Sequence, residues 1–420
     1  MKTFDPFIDD VRDILLADVA IKLQLSPTQY RLAVERVETL ATWLDRAGSP
    51  LAGKVTLVYA QGSMAINATI AAHTKREEFD IDAIVQMILS PGTTAQQALD
   101  LLYKSVRGEK GSRYYDITKR NTRCVTVEYK GMHVDLTPAE LIPSRQPRVS
   151  DIFHHRPETP AQPGMRIVAN PFGFAEWFQA ATPRARHFEE FFEKRSREAD
   201  RLLVHAAETE EVPEQLPAYL KPPAVVALQL IKRFRNIQYA NRTGRCPPSV
   251  MIACRVASSG SGTGRPFAEL YFQARQLLQF FSSHQAANCL VHVVNPRCEE
   301  DVFSDRWPSN LDAQKVFLND LQFLVAQLAR VEADPDIEVI QEVYGRLFGE
   351  DVTKSVVESF VDRTGEAIAK GVLHTARGSG RVDLGKSGVI AAAPSVITSS
   401  RTAPSHTFFG EPEGSLPRGK

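Results

Sequence analysis

The chain has 420 residues, 43% of them hydrophobic and 24% charged, and its 50 basic residues balance 50 acidic ones. That length exceeds what one core usually fills, so two domains and a tail are expected. Zero net charge does not advertise a long nucleic-acid ligand, and no apolar run approaches the roughly 18 residues that span a bilayer. The polar start of the chain does not read as an export signal, and five scattered cysteines fit free thiols in a reducing cytoplasm.

Residues 6–47 are predicted helical, with Ser26 as N-cap and Pro27 in the first turn. Residues 55–59 form a short β-branched strand that delivers the chain to Gln61-Gly62-Ser63, with a helix expected over 65–72. A second strand covers 80–87, and an amphipathic helix covers 93–106. Residues 122–129 and 132–136 read as a hairpin across Lys130-Gly131. Residues 138–164, rich in Pro, Arg, His and Ser, read as one long connection across the site. A helical region starts at 174–178, and 184–206 is strongly charged at helical spacing. An amphipathic helix is expected over 224–239. Helices over 250–256, 267–281, 312–330, 337–347 and 352–370 complete a mostly helical second half.

Asp80 and Asp82 stand two apart in an Ile/Val run, so both project from one face of a strand. Asp135 lies in the alternating run 124–136 and can meet them from a neighbouring strand. Three gathered carboxylates repel one another unless protons or cations neutralise them. Oxygen-only ligation suits Mg²⁺ with substrate phosphates. Two such ions about 3.5–4 Å apart stabilise the attacking and leaving oxygens of a phosphoryl displacement. The physical reading is a metal-dependent nucleotidyltransferase. Adjacent His154 and His155 rarely share an ion, and Cys289, His292 and Cys298 lack the paired spacing of a structural zinc site, so these read as ordinary packing residues.

With Gly62-Ser63, Asp80-x-Asp82 and Asp135 in this order, the chain resembles the polymerase β-type nucleotidyltransferases, and more narrowly the bacterial relatives of cyclic GMP–AMP synthase that serve anti-phage signalling. Asn170-Pro171-Phe172-Gly173-Phe174, Leu230-Ile231-Lys232-Arg233-Phe234, Pro247-Pro248-Ser249, Asn295-Pro296 and Trp307 extend the resemblance over about residues 1–365. It implies an α+β fold: a mixed sheet with helices as nucleotidyltransferase core with N-terminal helices (1–165) and a helical domain completing the nucleotide groove (166–370); beyond it, a composition of Gly, Ser, Ala, Thr and Pro reads as a flexible tail (371–420). It implies that Asp80, Asp82 and Asp135 bind two Mg²⁺ (or Mn²⁺), with Asp135 helping to activate the attacking ribose hydroxyl. Gln61, Gly62 and Ser63 would form the nucleotide-binding turn, Ser63 holding the donor triphosphate, and Lys232 and Ser249 would contact the donor phosphates.

The implied reaction joins ATP and a second ribonucleoside triphosphate into a cyclic di- or trinucleotide, read by a downstream effector, in the cytoplasm and without long nucleic acid or membrane. The alternative is template-independent transfer to RNA, a small molecule or a protein. In the tail, His406-Thr407-Phe408-Phe409-Gly410 is an aromatic island suited to docking a regulator, although Arg418-Gly419-Lys420 departs from a terminal glycine.

Overall fold

Phe79-Asp80-Ile81-Asp82 opens the strand around which the sheet of the first half is built. The computed structural model describes residues 10–71, 79–145, 147–158, 164–186, 188–190, 221–260, 264–369, 374–375 and 382–383. Strand β1 (Val55–Gln61) pairs antiparallel with β2 (Phe79–Met87), and β2 pairs parallel with β5 (Met132–Leu141). The sheet continues antiparallel through β4 (Val125–Tyr129) to β3 (Thr118–Arg120). Beyond Asp82, every residue of β2 is buried, as expected of a central strand covered on both faces.

β4 and β5 form the expected hairpin over Lys130-Gly131. The expected connection over 138–164 is corrected in part. β5 runs on through Pro138 to Leu141 and pairs with β6 (Ser150–His154), which pairs with β7 (Met165–Ala169). Proline is tolerated there because β4 pairing ends at Leu136 and β6 pairing begins at Ala139, so no partner on that side calls for its missing N–H.

Helix α1 (Val11–Lys22) is capped by Asp10, and α2 (Pro27–Leu44) carries the expected Ser26 capping box. The short α3 (Gly62–Ala65) starts at the turn itself, and residues 66–71 are not helical, which corrects the helix expected over 65–72. The carbonyls of Ala68 and Thr69 instead accept side-chain hydrogen bonds, from Lys232 and Gln229. Helix α4 (Ala95–Arg107) covers one face of the sheet, its apolar stripe meeting Val125, Val127 and Val134 in one core with Leu40 and Leu44 of α2.

The second half is helical: α5 (Pro171–Ala181), α6 (Pro223–Tyr239), α7 (Ser249–Ser258), α8 (Pro266–Ala286), α9 (Leu311–Ala333), α10 (Ile337–Phe348) and α11 (Glu350–Ala369), with a small hairpin of β8 (Val294–Asn295) and β9 (Cys298–Val302) between α8 and α9. Its core also takes in Leu15, Leu16 and Val19 of α1. The boundary drawn at 165 therefore does not separate the two cores. Buried Asp13 explains the attachment of α1: it accepts from Phe267 N at 2.8 Å and from Arg265 Nε at 3.0 Å at the start of α8. The amphipathic reading of α6 is also corrected, because all residues from Pro223 to Arg235 are buried. A helix buried all round is a core element.

In the range 371–420, His374–Thr375 and Val382–Asp383 pair as two short strands. The aromatic island at 406–410 and most of the charged segment 184–206 lie outside the described residues. No helix among the described residues is long and apolar enough to cross a membrane.

Candidate active site

Because β2 and β5 are parallel and in register, Asp82 stands directly opposite Asp135, and Asp80 opposite His133. The acids thus enter from two strands at one end of the sheet. β1 ends at the same place, with Gln61 opposite Asp82, and the chain turns sharply at Gly62. Gly62 has φ +60°, and a Cβ there would lie 2.5 Å from Asp82 Oδ2. Only glycine meets both demands.

A cavity of about 510 Å³ opens above this edge, within the usual size of a small-molecule site. Gly62, Ser63, Asp80, Asp82, Lys232 and Ser249 all reach its lining, as does Gln61. Asp135 is not part of the lining; it lies beside Asp82 and accepts a short hydrogen bond from Thr126, whose hydroxyl accepts from Asn121 Nδ2 at 2.7 Å. Asp80 is the most open of the three, its side chain 67% exposed and 3.7 Å from His133 Nδ1. Among the described residues no three His, Cys, Asp or Glu side chains converge tightly enough to enclose one ion.

The electrostatics still point to a cation. Burial, then the charges of Asp135 and Asp80, push the Asp82 carboxyl up to about 7, against the opposing pull of Lys232. A hard, oxygen-preferring divalent ion relieves that strain with the donors present. The residues fit Mg²⁺ or Mn²⁺ in donor chemistry, with Asp82 and Asp135 as the pair and Asp80 at the rim.

Lys232 projects from α6 toward the acids. Its ammonium donates to Ala68 O at 2.7 Å, and burial and Arg235 hold its pKa down to about 7, against the pull of Asp82. Ser63 Oγ is 3.2 Å from Thr69 Oγ1, and Gln61 Nε2 donates to Thr137 Oγ1 at 3.1 Å. Ser249, which starts α7 after two prolines, accepts from Arg235 Nη1 at 2.8 Å, and Pro247 O accepts from the same nitrogen at 2.8 Å. Arg233 points elsewhere, with Nε donating to Phe348 O at 3.0 Å.

The two Asn-Pro motifs support the cavity from behind. Asn170 Oδ1 caps α5 at Gly173 N, 2.8 Å away, and Asn295 Nδ2 donates to Asn170 O at 2.9 Å. Asp301 accepts from both, from Asn295 Nδ2 at 2.9 Å and Asn170 N at 3.2 Å. A Cβ on Gly173 would lie 2.4 Å from Asn170 Nδ2, so the cap itself requires glycine. Arg123, Asp305 and Arg306 also line the cavity. Sequence reasoning missed all three. They come from two loops distant in the chain, and no periodic pattern brings them together. His154 Nδ1 accepts from Arg123 Nε at 3.1 Å, and His155 sits against Arg120.

Residues 14–151 match the domain described as Second Messenger Oligonucleotide or Dinucleotide Synthetase. The chain is 35% identical over 412 residues to the cyclic dinucleotide synthase CdnG of Bradyrhizobium diazoefficiens, spanning 97% of this chain and 96% of that protein. It belongs to this family, the CD-NTases. The CD-NTase fold extends through the helical half: the structure of B. diazoefficiens CdnG in complex with GTP superposes with a TM-score of 0.72 at 33% identity, covering 85% of this chain and 100% of that one. A c-di-GMP synthase of Roseivirga ehrenbergii is 22% identical over 361 residues, or 85% of this chain and 89% of that protein.

Proposed function

We propose that this CD-NTase is a metal-dependent nucleotidyltransferase that joins ribonucleoside triphosphates into a cyclic di- or trinucleotide second messenger with release of pyrophosphate. GTP is the first candidate substrate, because a relative at 33% identity is a GTP complex and a more distant one is a c-di-GMP synthase; ATP is the second. The observation that carries the reading is the Asp82–Asp135 pair, set across parallel strands under a cavity that also receives Ser63 and Lys232.

In each transfer a ribose hydroxyl oxygen bonds to an α-phosphorus, the bond from that phosphorus to the β-phosphate bridge breaks, and pyrophosphate leaves. A second such step closes the ring. Asp80, Asp82 and Asp135 would hold two Mg²⁺ or Mn²⁺, which when bound supply charge neutralisation at the transferring phosphate and acidify the ribose hydroxyl. The remaining work falls to positioning. Ser63 offers its hydroxyl and backbone N–H to the donor phosphates. Lys232 exchanges Ala68 O for phosphate oxygens as a compact point charge. Ser249 lies on the same wall. Asp135, oriented by Thr126, takes up the proton of the attacking hydroxyl. The setting that fits is the bacterial cytoplasm, in antiviral signalling through a separate effector protein, with a regulator docking on 406–410.

The test is incubation of the purified chain with all four ribonucleoside triphosphates and Mg²⁺ or Mn²⁺, with products identified by mass spectrometry. A cyclic product formed without added nucleic acid supports the reading. Strictly linear products, or synthesis that depends on nucleic acid, overturn it.

A further inference from the structure

One corner of the cavity holds charge that phosphate binding and metal binding do not use. Arg123 lies on the loop between β3 and β4, while Asp305 and Arg306 follow β9. All three line the cavity. The Arg123 guanidinium is fixed on two sides: Nε donates to His154 Nδ1 at 3.1 Å, and Nη2 donates to Asp305 Oδ2. His154 accepts that bond on Nδ1, so it is unprotonated there and holds the guanidinium plane in place. Arg123 Nη1 and Asp305 Oδ1 have no side-chain or backbone partner among the described residues. Arg306 is half-buried, feels the charges of Arg123, Asp305 and Arg245, and has no hydrogen-bond or ion-pair partner among the described residues. A half-buried guanidinium with no protein partner among the described residues is open to an acceptor on a ligand.

We propose that Arg123, Arg306 and Asp305 read the edge of a guanine base held in this cavity, an inference that rests on the nucleotidyltransferase function above. The corner presents two donors and one acceptor. Guanine presents N7 and O6 as acceptors, followed by the N1–H and N2–H donors. Arg123 and Asp305 are joined, as O6 and N1–H are neighbours on the base. Arg123 therefore takes O6 and Asp305 takes N1–H and N2–H, which leaves N7 to Arg306. Adenine sets an amino group where O6 would be, against a guanidinium, and carries no hydrogen on N1 for the carboxylate. A phosphate group would also attract the two arginines, but Asp305, paired with Arg123 and adjacent to Arg306 in the chain, repels it, and this favours the base.

The experiment measures binding of GTP, 7-deaza-GTP, ITP and ATP to the full chain with Mg²⁺. GTP is expected to bind at least about tenfold more tightly than ATP, since a site built to hydrogen-bond one edge leaves polar groups unpaired against the other. 7-Deaza-GTP, which lacks the N7 acceptor, should bind roughly 5–20-fold more weakly than GTP. In Arg306→Gln, GTP should fall to the level of 7-deaza-GTP and the two should become equal. In Asp305→Asn, ITP, which lacks the N2 amino group, should lose its disadvantage against GTP. Equal binding of GTP and 7-deaza-GTP by the unmutated chain overturns the inference with no variant needed. So does an Arg306→Gln variant that weakens GTP and ATP by the same factor, which assigns the arginine to phosphate. Failure to bind any triphosphate overturns both the inference and the proposed function; equal binding of all four overturns the inference alone.

Discussion

Strand β2 and helix α6 both carry charged side chains into buried surroundings, yet they use them in opposite ways. On β2 the strand period sorts the residues: Ile81 and Ala83 go to the core, while Asp80 and Asp82 share the face above which the cavity opens. On α6 no such sorting occurs. Lys232, Arg233 and Arg235 are all buried, and each has a different partner: Ala68 O beside the acids, Phe348 O at the end of α10, and Pro247 O with Ser249 at the start of α7. In a strand the backbone decides where a charge points. In a helix enclosed on every side, the elements packed around it decide.

The largest expected effect tests the strand side of this contrast. Asp80→Asn combined with Asp82→Asn should lower nucleotide transfer by at least about a thousandfold, measured as pyrophosphate release, because the carboxylates that would hold the divalent ions at the reacting phosphate are gone. The fold should survive. In the folded chain Asp82 keeps its proton up to about 7, while an ordinary aspartate gives it up near 3.8. The folded state therefore binds more protons across that window, and metal-free stability falls as pH rises through it. Thermal melts without divalent ions should show a flatter acid limb for the variant and an equal or higher midpoint at pH 7. A variant that keeps comparable activity removes the carboxylates from the chemistry.

Next comes the turn. Gly62→Ala places a methyl group against Asp82 Oδ2 in a backbone conformation that alanine avoids. Displacing the carboxylate by a fraction of an ångström should reduce turnover roughly 10–100-fold. Strain of about 1–3 kcal/mol should appear in denaturant unfolding. Unchanged kinetics would mean that the close approach of β1 to β2 is not used.

The helix side is tested by two neighbours. Lys232→Met should weaken triphosphate binding about tenfold or more, the loss of one charge-assisted contact. It should also flatten the alkaline limb of metal-free stability. Lys232 sheds its proton near 7 when folded against 10.5 normally, so stability rises with pH between those values in the unmutated chain. Arg233→Ala should act instead on unfolding, at about 1–3 kcal/mol, because Phe348 O loses its buried donor. If both variants alter binding equally, the basic helix supplies only a diffuse field. Ser249→Ala is the smallest change expected, under about tenfold in KM, since Pro247 O still holds Arg235 in place. A larger loss would make Ser249 a principal phosphate ligand.

The two acid-bearing strands were legible because period-two alternation is a local property, and Asp80, Asp82 and Asp135 stand out as acids within apolar, alternating runs. The Asn-Pro motifs were visible as resemblance, but their physical role, the mutual locking of Asn170, Asn295 and Asp301, exists only in space. Pro138 misled the reading of 138–164: proline usually ends a strand, and here it fills a gap between two pairing partners. Full burial of α6 was hidden because its polar residues suggest a wet face that other elements in fact cover. The corner of Arg123, Asp305 and Arg306 had no signal at all, since it is assembled from two loops distant in the chain.

The bond between Lys232 and Ala68 O has a consequence for turnover. Pyrophosphate departs carrying charge that a desolvated ammonium would hold fast, and a site that binds its leaving group too well stalls. Under the proposed function, the Ala68 carbonyl stands ready to take the lysine back as the product leaves. The segment 66–71, which forgoes a helix and offers the carbonyls of Ala68 and Thr69 to side chains, would then serve as an escapement that lets the proposed reaction reset for its second bond.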